Sequence, residues 1–187
     1  MKLALVVDDE PLIRRQVREA LEIYGFDEIL EAEDGARAVS LAQAREPLLI
    51  IMDVTMPVLD GISAAEKIGK VASVPIVLLT ATVDPETIER ARLAGIQNYL
   101  VKPFRSEQLA PVVELAIHQF MEMSALRDEV ASLKEALETR KQVEKAKAVL
   151  VGQGLSEPQA YRKLQKIAMD KRKSLREVAE AVLMMEG

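Results

Sequence analysis

Five polar side chains stand where short apolar runs end: Asp8 and Asp9 after Leu3 to Val7, Asp53 after LLIIM, Thr80 closing PIVLLT, and Lys102 after NYLV. Converging carboxylates repel one another unless a hard cation sits between them. Oxygen ligands in this number suit Mg²⁺, which keeps several waters and accepts a phosphate as a further ligand. The Thr80 hydroxyl and the Lys102 ammonium can then hold phosphoryl oxygens as charge spreads over them, because phosphoryl transfer asks for positioning and electrostatics rather than covalent help. Asp53 is the candidate acceptor of the phosphoryl group. Singly, each residue has a plain alternative: an acid after a strand is often a helix cap, and a Lys before Pro is usually solvent-exposed. Their joint placement is what points to chemistry.

The elements that must position these groups follow from apolar spacing. Leu3 to Val7, Glu28 to Ala32, Leu48 to Ile51, Pro75 to Thr80 and Asn98 to Val101 read as strands, three of them as runs covered on both faces. Between them lie helices. Pro11 opens the first, whose Ile13, Val17, Leu21 and Tyr24 share a face until Gly25. Asp34 and Gly35 lead into a second that ends by Pro47. Ile62 to Ile68 forms a third, and Asp84 with Pro85 starts a fourth that runs to Ala94. Five alternations predict an α/β domain: a doubly wound, five-stranded parallel sheet with helices on both faces. In such a sheet, ligands bind at the carboxyl ends of the strands, where the five polar residues gather.

At 187 residues the chain suits one domain of about 120 residues with a smaller appendage. The absence of cysteine excludes disulfides and thiolate metal sites and fits a cytoplasmic protein. Five apolar residues before Asp8 are too few for a signal-peptide core, and LLIIM cannot span a bilayer, so no membrane role is expected. Charge is uneven. Residues 1–133 hold 13 Lys and Arg against 22 Asp and Glu, whereas residues 134–187 hold 12 against 8. An acidic body with a basic tail directs attention to nucleic acid at the C-terminal end.

The segments LVVDDEP, IIMDVTMPVLDG, VLLTA and YLVKPF resemble the four signature segments of the two-component response-regulator receiver domain, whose fold is flavodoxin-like. The resemblance implies that Asp53 is the phosphoacceptor, and that Asp8, Asp9 and Asp53 bind Mg²⁺ together with the main-chain carbonyl of Thr55. It implies contacts from Thr80 and Lys102 to the phosphoryl group, a switch pair of Thr80 and Tyr99, a cis bond from Lys102 to Pro103, and a sensor histidine kinase as partner. Tyr99 read by itself is equally a packed core aromatic. Phosphatases of the haloacid-dehalogenase type also use an Asp nucleophile and Mg²⁺, but place a general acid two residues on, where this chain has Thr55. No separate turnover activity is therefore expected.

From Ser106 the chain enters helix, with neither Gly nor Pro between Val112 and Val151. Ala116, Phe120, Met123, Leu126, Val130, Leu133 and Leu137 recur every three or four residues. This is the spacing of a coiled-coil connector pairing two protomers, or of a helix folded back on its own receiver. Gly152 and Gly154 close the helix. Ser156 to Gln159 and Ser174 to Glu177 are capping boxes that open two more helices. Ala160, Leu164, Ile167 and Ala168 face inward on one, Val178, Ala179, Val182 and Leu183 on the other. The expected organisation is a domain over residues 1–122, a helical linker over 123–133 and a three-helix unit over 134–187.

Basic side chains dominate the outside of that unit: Arg140, Lys141, Lys145, Arg162, Lys163, Lys166, Lys171, Arg172 and Lys173. The last cluster is also a favourable helix C-terminus. Tyr161, the tail's one aromatic, is a candidate platform for an unpaired base, or a packing residue. The pieces RKQVEKAKAVL, SEPQAYRKL and AMDKR resemble the ANTAR domain, an RNA-binding antitermination module, with Ala148 where that family usually has Gly. The resemblance implies binding to RNA hairpins in nascent leader transcripts and transcription antitermination. With a coiled-coil connector between the two parts, a homodimer promoted by phosphorylation of Asp53 is expected. The competing expectations are a DNA-binding regulator, for which Arg176 is the main side chain the last helix offers, and a tail that only dimerises.

Overall fold

The computed structural model describes residues 1–82, 84–96 and 98–184. The chain divides into two compact units, Met1–Met123 and Ser124–Gly187. Among the described residues no helix is long and apolar enough to cross a membrane.

The first unit is built on five parallel strands: β1 (Leu3–Val7), β2 (Glu28–Ala32), β3 (Leu49–Asp53), β4 (Ile76–Thr80) and β5 (Asn98–Val101), ordered β2-β1-β3-β4-β5. Helices α1 (Pro11–Tyr24), α2 (Gly35–Arg45), α3 (Gly61–Val71) and α4 (Pro85–Leu93) connect them, and α5 (Ser106–Gly152) follows β5. Because side chains alternate across a strand, the sheet feeds two cores. Ala4, Val6, Leu49, Ile51, Val77 and Leu79 pack with Val17 and Leu21 of α1 and with Leu109, Val113 and Ala116 of α5. Leu5, Val7, Ile50, Met52 and Leu78 pack with Ala38, Ala42, Ile62, Ala65 and Ile68 from the other side. This is the doubly wound sheet that the alternation predicts.

Helix starts follow the expected chemistry. Asp34, Asp60 and Asp84 each accept a hydrogen bond from the N–H three residues on, at 2.8, 3.1 and 2.9 Å. Pro11 and Pro85 occupy first turns, where a missing N–H costs nothing. The boundaries differ from the sequence reading in the middle. β3 begins at Leu49 and includes Asp53, whereas Leu48 is exposed, and α3 runs from Gly61 to Val71 rather than from Ile62 to Ile68. Apolarity marked Leu48 as strand, but only its N–H joins β1, donating to Leu3 O at 2.8 Å.

The second unit comprises the C-terminal part of α5 with α6 (Glu157–Lys171) and α7 (Leu175–Met184). Val143, Ala146, Leu150, Ala160, Leu164, Ala168, Val178 and Ala179 form its core. Both expected capping boxes are present. Gln159 accepts from the Ser156 N–H at 2.9 Å, while Glu177 accepts from the Ser174 N–H at 2.8 Å and donates its own N–H to Ser174 Oγ at 3.2 Å. Leu126, Val130, Leu133 and Leu137 of α5 are half exposed.

Candidate functional site

Parallel pairing places the predicted residues at one edge. Asp53 is the last residue of β3, in register with Leu79, so Thr80 lies one step beyond it on β4. Asp8 directly follows β1, and Lys102 directly follows β5. The strand order reverses between β1 and β3, which is where a doubly wound sheet opens a crevice for ligands.

Asp8, Asp9 and Asp53 each present a carboxylate oxygen within 4.8 Å of the others. Asp8 and Asp53 are buried and Asp9 is exposed. Lys102 Nζ stands among them, 2.7 Å from Asp8 Oδ2, 3.2 Å from Asp53 Oδ1 and 3.8 Å from Glu10 Oε1. One ammonium against three aspartates leaves negative charge to be balanced. The donors are all hard oxygens, and the cluster opens to solvent at Asp9. These residues therefore fit Mg²⁺ as a resident cation.

Burial pushes the Asp53 carboxyl above its ordinary pKa and Asp8 adds to the rise, while the Lys102 charge and the Thr55 backbone N–H oppose it. Burial works against the Lys102 ammonium, but its hydrogen bond to Asp8 and the Asp53 and Asp8 charges outweigh this and hold it above its usual value. Each group stabilises the charged form of the other.

The supporting contacts escaped the sequence reading. Arg14 donates to the main-chain oxygens of Asp8 at 2.7 Å and Asp9 at 3.4 Å, and is itself held by Glu31 of β2 at 3.1 Å. Its guanidinium thus fixes the backbone of the acidic loop. Gly61 matters through what it lacks: a Cβ there would lie 2.0 Å from the carbonyl oxygen of Asp53. A usable signal was present, since glycine is a poor residue for a helix's first turn yet follows the capping Asp60.

Thr80 Oγ1 donates to Thr82 O at 2.5 Å and accepts from the Thr82 N–H at 3.2 Å. The hydroxyl is thus engaged with the loop after β4. Tyr99 is nearly half exposed, its ring outside both cores. The Lys102–Pro103 bond is cis, as the receiver resemblance implied.

In the second unit Arg140, Lys141, Lys145, Arg162, Lys163, Lys166, Lys171, Arg172 and Lys173 lie on the surface. Lys141 pairs with Glu138 at 2.8 Å. Among the described residues Arg140, Lys145, Arg162, Lys163, Lys166, Lys171, Arg172 and Lys173 form no ion pair. Arg176, the side chain the DNA reading needed, is taken by Glu180 at 2.9 Å. Tyr161 lies outside the three-helix core and is substantially exposed. Lys147 was not singled out from sequence. It ties α5 to α6, bridging Glu144 at 3.1 Å and Glu157 at 2.8 Å.

Residues 4–114 match the response regulator receiver domain family, and residues 131–183 match the ANTAR domain family. The transcriptional regulatory protein PdtaR of Mycobacterium tuberculosis is 48% identical over 180 residues, covering 96% of this chain and 88% of the relative. The chemotaxis protein CheY of Bacillus subtilis is 32% identical over 115 residues, 61% of this chain and 96% of the relative. Among solved structures, Vibrio cholerae CheY4 superposes with a TM-score of 0.58 at 33% identity, covering 62% of this chain and 98% of that one. The chain thus belongs to the response regulators, and in it a receiver domain is followed by an ANTAR domain.

Proposed function

We propose that this regulator takes a phosphoryl group from a sensor histidine kinase onto Asp53, dimerises in response, and binds RNA hairpins in nascent leader transcripts as a transcription antiterminator. An Asp53 carboxylate oxygen attacks phosphorus, the bond from phosphorus to the donor breaks, and an acyl phosphate remains on Asp53. Asp8, Asp9, Asp53 and the main-chain carbonyl of Thr55 would hold Mg²⁺, which when bound neutralises charge on the phosphoryl oxygens. Lys102 moves from sharing Asp8 and Asp53 to facing a phosphoryl oxygen. The Thr80 hydroxyl must exchange its bond to Thr82 O for one to the phosphate, and Tyr99 turns into the space it leaves.

Residues 1–122 form the receiver in this reading, 123–133 the linker and 134–187 the RNA-binding unit. Lys141 and the eight surface cations that form no ion pair among the described residues would meet phosphates, while Tyr161 would meet a base. Dimerisation through α5 sets two such units on paired hairpins and raises the effective concentration for the second contact. The observation that carries the reading is the combination in one chain of the Asp8–Asp9–Asp53–Lys102 cluster with a tail of exposed cations, most of which form no ion pair among the described residues. Full-length protein is tested on a two-hairpin RNA pool and a duplex DNA pool at physiological salt, with and without Mg²⁺ and beryllofluoride. RNA-selective binding strengthened by the phosphoryl mimic is expected. Preference for duplex DNA, or no binding to either pool, overturns the antiterminator.

A further inference from the structure

The second unit carries a groove of about 720 Å³ along the C-terminal part of α5, closed by Tyr161 of α6 and Leu175 of α7. Its volume is in the range of small-ligand sites, about 300–1,000 Å³. Ala136, Val143 and Leu175 supply apolar lining, and Arg140 and Glu135 supply one charge of each sign.

The other charged pair in the groove is already committed. Lys147 holds Glu144 and Glu157, so neither its ammonium nor the Glu144 carboxylate is free to bind a ligand without breaking that tie between α5 and α6. Arg140 and Glu135 form no ion pair among the described residues. What remains is a half-exposed aromatic face, one planar cation, one acceptor-only carboxylate and apolar lining.

That set discriminates between parts of a nucleic acid. A phosphate gains from Arg140 but is repelled by Glu135 and gains nothing from the apolar residues. A neutral planar base stacks on a phenol ring and a guanidinium, and its edge can donate to a carboxylate. Phosphates have their own partners in Arg162, Lys163 and Lys166, exposed on α6 just beyond Tyr161.

We infer that this groove receives one unstacked base of the RNA loop, with Tyr161 as its stacking platform and Glu135 as the acceptor that selects a base bearing an exocyclic amino group. The inference rests on the RNA-binding reading above and adds the place and rule of base recognition. Adenine, cytosine and guanine each offer an amino donor to a carboxylate, whereas uracil presents two carbonyl acceptors and a single N–H.

The probe is a pool of RNA hairpins with randomised loops, offered to the full chain with Mg²⁺ and beryllofluoride. Affinity and recovered loop sequences are measured for wild type, Tyr161→Phe, Tyr161→Leu and Glu135→Gln. Wild type and Tyr161→Phe are expected to recover the same loops, with an amino-bearing base fixed at one position. Tyr161→Leu loses about 5- to 150-fold in affinity, the worth of one stacked base. Glu135→Gln exchanges a charged acceptor for a neutral one and adds an N–H donor, so it weakens binding of the wild-type loops and admits uracil at that position. Tyr161→Leu binding as tightly as wild type, or Glu135→Gln recovering unchanged loops, overturns the groove while leaving RNA binding intact. If wild-type protein recovers no RNA, the RNA-binding reading fails and the groove with it.

Discussion

The α-carbon of Gly61 faces the carbonyl oxygen of Asp53 so closely that a Cβ would sit 2.0 Å from it. The Gly61 N–H meanwhile donates to Val54 O at 2.9 Å, binding the start of α3 to the end of β3. Gly61→Ala must push these two backbones apart, and no side-chain rotation relieves the clash. The expected result is a loss of about 3 kcal/mol or more in urea unfolding, in the tail of single-substitution effects. The rate of Asp53 phosphorylation by a small phosphodonor should fall with it. An alanine variant of wild-type stability that phosphorylates normally would show that the loop has a second way to close.

Val58 occupies the same loop with φ 67°, a left-handed conformation that β-branched residues rarely adopt, and its side chain is 85% exposed. It gives up little packing to offset the strain. Val58→Gly should therefore raise stability by about 1 kcal/mol, the low end of such backbone costs. The check is the urea midpoint at constant slope. A lower midpoint would mean that glycine's extra unfolded-state freedom outweighs the relieved strain.

Asp53 titrates above its ordinary value of 3.8 because burial disfavours its charge. The folded protein therefore retains this proton at pH values where the unfolded chain has lost it. Stability from this group is intact below the unfolded value and declines as pH rises through the folded one. Asp53→Asn removes the charge and leaves Lys102 its 2.7 Å contact with Asp8. Without divalent cations, the Asn variant should be more stable than wild type at neutral pH, and the difference should shrink as pH falls toward 4. Adding Mg²⁺ should narrow the gap at neutral pH from the wild-type side. A pH-independent difference would assign the effect to packing.

The strands and the site's carboxylates were legible because each lies at a change of pattern: an apolar run stops and an acid or Lys begins. β1, β2 and β5 have the bounds read from sequence, since Asp8 follows the first run, Asp27 precedes the second, and Lys102 with Pro103 follows the last. Leu48 was misplaced because residue type reports apolarity and not which side a neighbour covers. Arg14 was invisible for a different reason. Its targets are main-chain oxygens of Asp8 and Asp9, and a carbonyl leaves no trace in residue type. Lys147 looked like one more basic residue until α6 brought Glu157 within 2.8 Å. Tyr161 was left between platform and packing residue, and the structure places it outside the three-helix core, on the α5 groove.

Leu126, Val130, Leu133 and Leu137 step by four, three and four along α5, and each remains about half exposed. Such a stripe has the spacing that the seam of a two-stranded coiled coil requires, and the proposed dimer would bury it. Leu133→Glu puts a charge at its centre and forfeits about 1.5–3 kcal/mol of burial per chain. The beryllofluoride-treated variant should sediment as a monomer at concentrations where treated wild type is a dimer. Asp53 phosphorylation should be unaffected, because Leu133 lies in the second unit. A variant that dimerises as wild type does would move the interface away from this stripe.

The three-helix core has little to spare. Of its eight buried residues among those described, four are alanines and two, Leu150 and Leu164, are leucines. Leu164 is fully buried, so Leu164→Ala removes a methylated branch and leaves a cavity, at a cost of about 2–5 kcal/mol. A unit of this size has a marginal reserve, so the loss should melt α6 and α7. Far-ultraviolet circular dichroism should show reduced helix, and RNA binding should disappear. Helices α6 and α7 belong to the second unit and Asp53 to the first, so phosphorylation of Asp53 should continue at the wild-type rate. Loss of both activities together would make the two units one cooperative folding block. Retention of RNA binding would mean that the hairpin supplies the ordering energy that the core has lost.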